Sequence, residues 1–398
     1  MKTLIFLLDA VRYDQINNKL FPFLSSLQHS NTFLKLRTLL GYSVGIHPSI
    51  WTGLYQENHG RFTIFYYDPK NSSFKNAKWL YLIPSETIRK YFIGALKVPY
   101  YKFKILKQRT PPWYDKIIKY PPALPPSVAP YFSLNPIAPK YQENLFSLLE
   151  KERISWFGQA DLTALWLTKK LVNVENMRLT NADVDIFYMY FGDGFGHTFG
   201  PFSKTTINYF RRCDAKIKEV ISKAKKRYGK VHYFIFSDHG MCEVKHYLDL
   251  RTYFKKLGYK QPKDFVAFFD ATMIRFWYHK EKVREKVLDS FSQIKHLTYL
   301  DDKFRKKYRI RFKDRKWGDD LFLVDPNFRI FPDYFAPIKG ALRGLHGYSP
   351  DASCSYGFFL TNALSTKKDE IKVVDIFPTI LKSLKIKVPN GIDGKCLR

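Results

Sequence analysis

Aspartate and histidine side chains recur in this sequence directly after apolar runs that could form strands. Three aspartates and three histidines make up the set: Asp9, Asp193, His197, Asp238, His239 and His346. Two divalent cations need about three protein ligands each, with an open position on each cation for substrate oxygens. Carboxylate and imidazole donors without thiolate suit zinc, with manganese as the alternative. We therefore expect a site for two divalent cations.

A serine in the segment "GYSVGIHPSIWTGLY" (41–55) adds a candidate nucleophile to this set. If a helix begins within 47–53, Ser43 lies just ahead of its amino end, where backbone N–H groups and the helix dipole favour a phosphate. Coordination to a cation can activate a serine hydroxyl, which is otherwise a poor nucleophile at neutral pH. The alternative interpretation is an ordinary turn or helix-capping serine. His47 and His59 flank the predicted helix and are interpreted as supporting or structural side chains, not as ligands.

The apolar runs before these residues predict buried strands. The predicted strands are 3–9, 154–161, 185–193, 232–238 and 356–362, and the segment 203–227 has the pattern of a helix. Continuous apolar runs suit strands covered on both faces, and therefore a mostly parallel sheet with helices on each side. In such doubly wound α/β folds, ligands bind at the carboxyl ends of the strands, where Asp9, Asp193 and Asp238 lie.

Two segments differ from this pattern and suggest how the chain is divided. Residues 62–150 are rich in Tyr, Pro and Lys and are predicted to form an irregular elaboration of the core. Residues 243–340 contain strand, helix and strand patterns in that order, which indicates a small α+β insertion. The α/β core is therefore expected to comprise residues 1–242 and 341–398.

The charge of the chain favours anionic partners. Its 398 residues include 66 Lys and Arg against 36 Asp and Glu, a formal net charge of +30. A positive field of this size attracts anions, so we expect a phosphorylated substrate, with nucleic acid or an acidic membrane surface as alternative partners. A solvated lysine-rich surface is the simpler interpretation of the same charge.

Cysteine spacing and hydropathy bear on the cellular compartment. The four cysteines (213, 242, 354 and 396) lie far apart without a C-x-x-C pair, so neither a disulfide framework nor a cysteine zinc site is expected. No run reaches the roughly 18 apolar residues of a membrane-spanning helix. The first residues also lack the small-residue cleavage site of a signal peptide. We therefore expect a soluble cytoplasmic protein.

Together these motifs resemble the alkaline phosphatase superfamily, most closely its type I phosphodiesterase/nucleotide pyrophosphatase branch. The matching motifs are Asp9, Ser43 with "TGLYQENHG" downstream, "DGFGH", "SDHGM" and "GLHGY". The match runs from residue 3 to the end of the chain, with 70–150 and 243–340 poorly covered. The resemblance implies an alkaline phosphatase-like α/β fold that binds two zinc ions.

The resemblance also implies a role for each residue of the set. One cation would be held by Asp9, Ser43, Asp238 and His239, and the other by Asp193, His197 and His346. Ser43 would attack phosphorus in line and form a covalent phospho-serine, which water then hydrolyses.

Several positions near Ser43 bear on the reaction within this superfamily. Gly45 and His47 lie where sulfatases have proline and arginine, which argues against a sulfatase. Monoester phosphatases commonly place an arginine just after the nucleophile, and positions 44–46 offer none, which favours diesters. Ile64 and Val44 replace the asparagine that contacts phosphate and the aromatic residue that stacks on the base in nucleotide-cleaving members.

These features predict a metal-dependent phosphodiesterase or pyrophosphatase that works through a phospho-serine. One alternative is a phosphomonoesterase or phosphoryl transferase acting on a sugar or lipid precursor. The other is a basic nucleic-acid-binding protein with a vestigial metal site.

Overall fold

A computed structural model of the chain describes most of its residues. The described residues are 1–75, 83, 88, 125, 127–134, 143–161, 170–171, 173–336 and 339–397. The predicted irregular segment 62–150 lies in large part outside them.

The described residues fold into mostly short strands and a set of helices. In chain order the strands are β1 (Lys2–Leu8), β2 (Thr32–Arg37), β3 (Phe65–Tyr67), β4 (Phe132–Leu134), β5 (Trp156–Ala160), β6 (Lys170–Leu171), β7 (Val184–Met189), β8 (Val231–Phe236), β9 (Cys242–Glu243), β10 (His246–Leu248), β11 (Phe265–Phe269), β12 (Met273–Tyr278), β13 (Leu297–Tyr299), β14 (Asp320–Val324), β15 (Phe328–Ile330), β16 (Gly344–Leu345), β17 (Gly357–Thr361) and β18 (Glu370–Lys372). The helices are α1 (Pro22–Leu27), α2 (Ser43–Thr52), α3 (Gln56–His59), α4 (Leu145–Lys151), α5 (Phe191–Phe199), α6 (Lys204–Tyr228), α7 (Arg251–Lys256), α8 (Glu281–Phe291), α9 (Asp302–Tyr308) and α10 (Ile376–Ser383).

The central sheet has eight strands in the order β18-β2-β17-β8-β1-β7-β5-β6. Strand β1 pairs in parallel with both β7 and β8, and β5 pairs in parallel with β7. Strand β17 runs antiparallel to its neighbours β2 and β8. The sheet is therefore mostly parallel, as the apolar runs predict, with β17 as the reversed strand.

Helices cover both faces of this sheet. Every residue of β1 is buried, because one apolar cluster packs α2, α4 and α10 on one face and another packs α1 and α6 on the other. The long helix α6 has its amino end at Ser203, whose side chain accepts a hydrogen bond from the Thr206 backbone N–H at 3.2 Å. These layers confirm the predicted doubly wound α/β fold.

The segment after β8 forms a second, smaller sheet. Its strands follow the order β11-β12-β14-β13, and each pairs antiparallel with its neighbours. Helix α8 packs through Val283, Val287 and Phe291 into the apolar cluster beneath this sheet. The turn between β11 and β12 contacts the α/β core. The hydroxyl of Thr272 in this turn lies 3.0 Å from the hydroxyl of Tyr42, the residue directly before Ser43.

A disulfide joins Cys242 to Cys354, a single bond that the cysteine spacing, from which no disulfide framework is expected, does not predict. The two Cα atoms lie 5.1 Å apart although 112 positions separate them in the sequence. Spacing along the chain carries no information on this pair, since the fold brings β9 beside the turn that follows β16. Among the described residues, none of the helices has both the length and the apolarity needed to cross a bilayer.

Candidate active site and metal centre

Three aspartates lie at the carboxyl edge of the central strands. Asp9 directly follows β1, Asp238 comes two residues after β8, and Asp193 lies in the first turn of α5, which follows β7. Because β1 is hydrogen-bonded to both β7 and β8 in parallel, the three strand ends meet at one edge. All three side chains are buried there, and Asp238 has no exposed surface.

Ser43 is the first residue of α2, so the helix begins earlier than predicted. The carbonyl of Tyr42 accepts hydrogen bonds from the N–H groups of Gly45 at 2.8 Å and Ile46 at 3.2 Å, which closes the first turn. Pro48 lies inside this helix, although proline favours the first turn. Ser43 therefore lies in the amino-terminal turn, where the helix dipole favours a phosphate.

His239 connects Ser43 to two of the aspartates. Its Nε2 atom lies 3.1 Å from the Ser43 hydroxyl oxygen, 3.4 Å from Asp9 Oδ1 and 3.3 Å from Asp238 Oδ2. The structure thus brings together the four residues that the sequence assigns to one cation.

The residues assigned to the other cation also lie together. Asp193 Oδ1 is 3.2 Å from His197 Nε2 and 3.5 Å from His346 Nε2. The His346 ring stacks on the His239 ring with 3.8 Å between centroids. The donor atoms of Asp193, His239 and His346 all lie within 4.8 Å of one another, and so do those of Asp9, His47 and Asp238. His239 therefore lies between the two groups, and His47 borders the group of Asp9 and Asp238.

Backbone carbonyls orient two of the imidazoles. His197 Nδ1 donates to the Gly344 carbonyl at 2.8 Å, and His239 Nδ1 donates to the Gly240 carbonyl at 2.9 Å. A carbonyl only accepts hydrogen bonds, so in each ring Nδ1 carries a proton and Nε2 is the nitrogen that faces the carboxylates. This arrangement is typical of histidines that ligate a metal.

The electrostatics of the cluster favour bound cations. Burial raises the pKa of Asp9 well above its usual value, and the nearby charges of Asp238 and Asp193 raise it further. Burial also lowers the pKa of His346 well below its usual value and favours the neutral, ligating form of its ring. Divalent cations would relieve the repulsion among the carboxylates.

The other two carboxyl groups are held ionised by neighbouring imidazoles. Burial alone would raise the pKa of Asp238, but the imidazole of His239 and the hydrogen bond from His47 outweigh it and lower the pKa to about 2. Burial likewise opposes ionisation of Asp193, and His197 outweighs it and lowers that pKa. Bound divalent cations would likewise favour the ionised form of these carboxylates.

Unpartnered buried atoms provide a further test of the fit. Asp9 Oδ1, Asp193 Oδ1 and His346 Nδ1 are buried and form no hydrogen bond with the described residues. Buried polar atoms are rarely left unpaired, and a bound ion is one of the established explanations. The donors present therefore fit two divalent cations.

Three further side chains support the cluster. His47 Nε2 lies 2.8 Å from Asp238 Oδ2, and the Tyr188 hydroxyl donates to Asp9 Oδ2 at 2.5 Å. Asp161 accepts a hydrogen bond at 2.7 Å from the Tyr190 backbone N–H, directly before α5. The sequence indicates a supporting role for His47, whereas it does not single out Tyr188 or Asp161. For Asp161, its position at the end of the predicted strand 154–161 is the available signal.

Val44, directly after Ser43, and Ile64 are two apolar residues at positions that bear on the substrate. Val44 packs against a cluster that contains buried Phe62 and Trp317 and half-buried Phe312. Ile64 packs against another apolar cluster, which includes Phe65. Neither side chain can supply an amide for phosphate or an aromatic face for a nucleobase.

The chain is similar to known phosphodiesterases in sequence pattern and in fold. The profile of the type I phosphodiesterase/nucleotide pyrophosphatase family matches residues 3–349. Comparison with curated proteins gave no match. The human ectonucleotide pyrophosphatase/phosphodiesterase 5 structure superposes with a TM-score of 0.67 at 14% identity, covering 99% of this chain and 97% of that chain.

Two murine structures of ectonucleotide pyrophosphatase/phosphodiesterase 5 are equally similar, each with a TM-score of 0.67, 15% identity and 99% of this chain covered. One of them is an inactive threonine-to-alanine variant in complex with AMP, and the match covers 97% of its chain. For the other structure, the match covers 98% of its chain. The likeness in fold agrees with the profile match, which spans most of the chain. This chain therefore belongs to the type I phosphodiesterase/nucleotide pyrophosphatase family, within the alkaline phosphatase superfamily.

Proposed function

We propose that the protein hydrolyses a phosphodiester or pyrophosphate bond with Ser43 as nucleophile and two divalent cations as cofactors. Asp9, Ser43, Asp238 and His239 would hold one cation, and Asp193, His197 and His346 would hold the other. When bound, the cations supply Lewis-acid stabilisation of the charge on the phosphoryl, attacking and leaving oxygens. Zinc suits the imidazole and carboxylate donors, and manganese is the alternative.

The contact between Ser43 and His239 carries this proposal. The hydroxyl oxygen lies 3.1 Å from His239 Nε2, and that nitrogen also approaches Asp9 and Asp238 within 3.4 Å. An ordinary helix-capping serine bonds a backbone N–H of its own helix. Ser43 instead directs its hydroxyl into a buried group of candidate ligands.

In the proposed reaction, the chain's own residues act in two steps. Ser43 Oγ forms a bond to phosphorus, the bond to the leaving oxygen breaks, and the serine proton departs with the leaving group. Water then attacks the phospho-serine, the Oγ–P bond breaks, and a proton from water returns to Ser43. The amino end of α2 stabilises the phosphate throughout, because its first N–H groups and its dipole favour an anion.

The surroundings of Ser43 bear on the substrate. Val44 and Ile64 do not reproduce the base-stacking and phosphate-binding groups of nucleotide-cleaving members. The proposal therefore names phosphodiesters and pyrophosphates as the substrate class and assigns no nucleotide preference.

A substrate panel with controlled metal content tests the proposal. The protein is stripped with a chelator, reloaded with Zn²⁺ or Mn²⁺, and assayed on bis(p-nitrophenyl) phosphate, p-nitrophenyl phosphate and a pyrophosphate substrate. We expect hydrolysis of the diester or the pyrophosphate substrate only after reloading. Faster turnover of the monoester, or activity in the metal-free protein, would contradict the proposal.

Variants of Ser43 test the nucleophile directly. Ser43→Ala should fold, retain bound metal and lose turnover by about 10⁴-fold or more, the order found when a catalytic nucleophile is removed. Ser43→Thr keeps a hydroxyl at the same position and should retain measurable turnover. Mass spectrometry after rapid acid quench should detect the phosphorylated residue in wild type and not in Ser43→Ala. Undiminished turnover in the alanine variant would remove Ser43 from the reaction.

A further inference from the structure

His47 lies one helical turn after the nucleophile. Residues four apart on a helix share one face, so Ser43 and His47 both point from α2 towards the carboxyl edge of the sheet. His47 is 7% exposed, and its Nε2 atom lies 2.8 Å from Asp238 Oδ2. This buried contact is made to a carboxylate that is itself a candidate metal ligand.

Hydrogen bonds fix both oxygens of the Asp238 carboxylate. Oδ1 accepts the backbone N–H of His239 at 3.0 Å and that of Ala10 at 3.4 Å. Oδ2 contacts His47, and its remaining lone pair faces His239 Nε2 at 3.3 Å. The backbone contacts alone would still allow Oδ2 to tilt, whereas the contact with His47 removes that freedom.

The neighbouring carboxylate is held in a similar way. The Tyr188 hydroxyl donates to Asp9 Oδ2 at 2.5 Å, while Asp9 Oδ1 forms no hydrogen bond with the described residues. The Tyr188 ring packs edge-on against the His47 ring, with 5.5 Å between centroids. The two supporting side chains therefore form one buried unit behind the two carboxylates.

We propose that His47 is a positioning residue for the cation site formed by Asp9, Ser43, Asp238 and His239. By donating from Nε2 to Asp238 Oδ2, it fixes the direction of the remaining lone pair and so sets the affinity of that site for its cation. It does not touch the substrate. The expected effect of His47 on cation binding rests on the geometry alone. Its expected effect on turnover rests on the proposed function.

Calorimetric titration of the metal-free protein with Zn²⁺ tests the inference without reference to activity. His47→Leu removes the donor and keeps an apolar side chain of comparable size. His47→Gln places an amide N–H near the position of Nε2. We expect His47→Leu to weaken one of two Zn²⁺ sites by about 10–100-fold, the usual effect of losing a group that orients a metal ligand. The other site should be unchanged, and His47→Gln should recover most of the loss.

A second histidine beside the same helix provides a matched control. The Nε2 atom of His59 lies 2.9 Å from the Ser49 hydroxyl of α2, and its Nδ1 atom accepts the Arg61 backbone N–H at 3.2 Å, so its ring is engaged away from the carboxylates. His59→Leu should leave both Zn²⁺ constants unchanged, and its thermal unfolding calibrates the cost of removing a histidine packed against α2. If His47→Leu does not fold, His47→Phe takes its place, because it also lacks the donor but keeps a ring in the same buried position.

Distinct results would overturn the two proposals. Unchanged Zn²⁺ constants in His47→Leu, or an equal loss in His47→Gln and His47→Leu, would show that the donated hydrogen bond does not position the site. The proposed function could stand in that case. Two intact Zn²⁺ sites in wild type without hydrolysis of any panel substrate would refute the proposed function and leave the positioning role to be judged on binding. A wild-type protein that binds no Zn²⁺ at this site would overturn both.

Discussion

Gly45 shows how closely helix α2, which carries the proposed nucleophile, must approach its neighbour. A Cβ atom at this position would lie 2.5 Å from the Phe62 carbonyl oxygen and 2.7 Å from the side-chain nitrogen of Gln56. Neither distance is tolerated by real Cβ atoms, so only glycine allows α2 to lie against the segment that follows α3. Ser43 lies in the same helical turn as Gly45, so a shift of the helix at this contact would also move Ser43.

Replacement of Gly45 should therefore affect both stability and catalysis. Gly45→Ala forces the backbone apart, and overpacking of this kind typically costs about 1–3 kcal/mol. Urea denaturation should show the loss, and kcat should fall because Ser43 moves with the helix. Gly194→Ala is the control, since a Cβ at this helical position meets open space and should raise the free energy of unfolding by about 0.5–1 kcal/mol. Equal stability of the two variants would contradict the argument.

At the scale of elements, Asp161 holds helix α5 against the sheet. It follows β5, accepts the Tyr190 N–H at 2.7 Å and accepts the Tyr209 hydroxyl from α6. Helix α5 carries Asp193 and His197, so this carboxylate ties two residues of the proposed second cation site to two other elements. Burial raises its pKa to about 6, although the hydrogen bond from Tyr209 lowers the pKa in part.

The raised pKa of Asp161 gives stability a predictable pH dependence. Below pH 4 the group is protonated in both the folded and the unfolded protein, and the folded state keeps its proton up to about pH 6. Its contribution to stability is therefore present at low pH and lost as the pH rises through 6. Between pH 5 and 8 the loss amounts to about 1.4 kcal/mol, the equivalent of one pKa unit.

Urea denaturation of the metal-free protein at pH 5 and pH 8 measures this effect. The free energy of unfolding of Asp161→Asn should lack this part of the decline. Between pH 5 and pH 8 it should therefore rise by about 1.4 kcal/mol relative to that of wild type. Asp183→Asn is the control, because Asp183 has a lowered pKa through its hydrogen bond with Ser155 and is ionised in both states across this range. An identical pH dependence in wild type and Asp161→Asn would show that the folded state does not retain this proton.

Much of the site can be predicted at the element scale because parallel strands place their carboxyl ends at one edge. This rule places Asp9, Asp193 and Asp238 together. The start of α2 could not be predicted, since Pro48 is accommodated inside the helix. The reversed direction of β17 and the Tyr188 contact with Asp9 depend on pairing and packing between distant segments. No local pattern in the sequence records such contacts.

At the scale of the whole molecule, the disulfide closes a loop that contains the smaller sheet. Cys242 lies three residues after His239, and Cys354 lies eight residues after His346, so the bond links the segments that carry two candidate ligands. Disulfides persist mainly in oxidising compartments, with intracellular proteins of hyperthermophiles as an exception. The cytoplasmic location stays a prediction, and this bond is the observation to weigh against it.

Removal of the disulfide should lower the stability of the whole fold. In the chain-entropy account, opening a loop of this length costs about 2–5 kcal/mol, because the unfolded chain regains its freedom. The double variant Cys242→Ala, Cys354→Ala should show this loss in urea denaturation and should be insensitive to dithiothreitol, which should destabilise wild type. Cys396→Ala is the control, because Cys396 is not in a disulfide, and it should behave as wild type. Since His239 and His346 lie on the linked segments, the double variant should also bind Zn²⁺ more weakly. If dithiothreitol leaves wild type unchanged, the bond does not contribute to the stability of the folded protein.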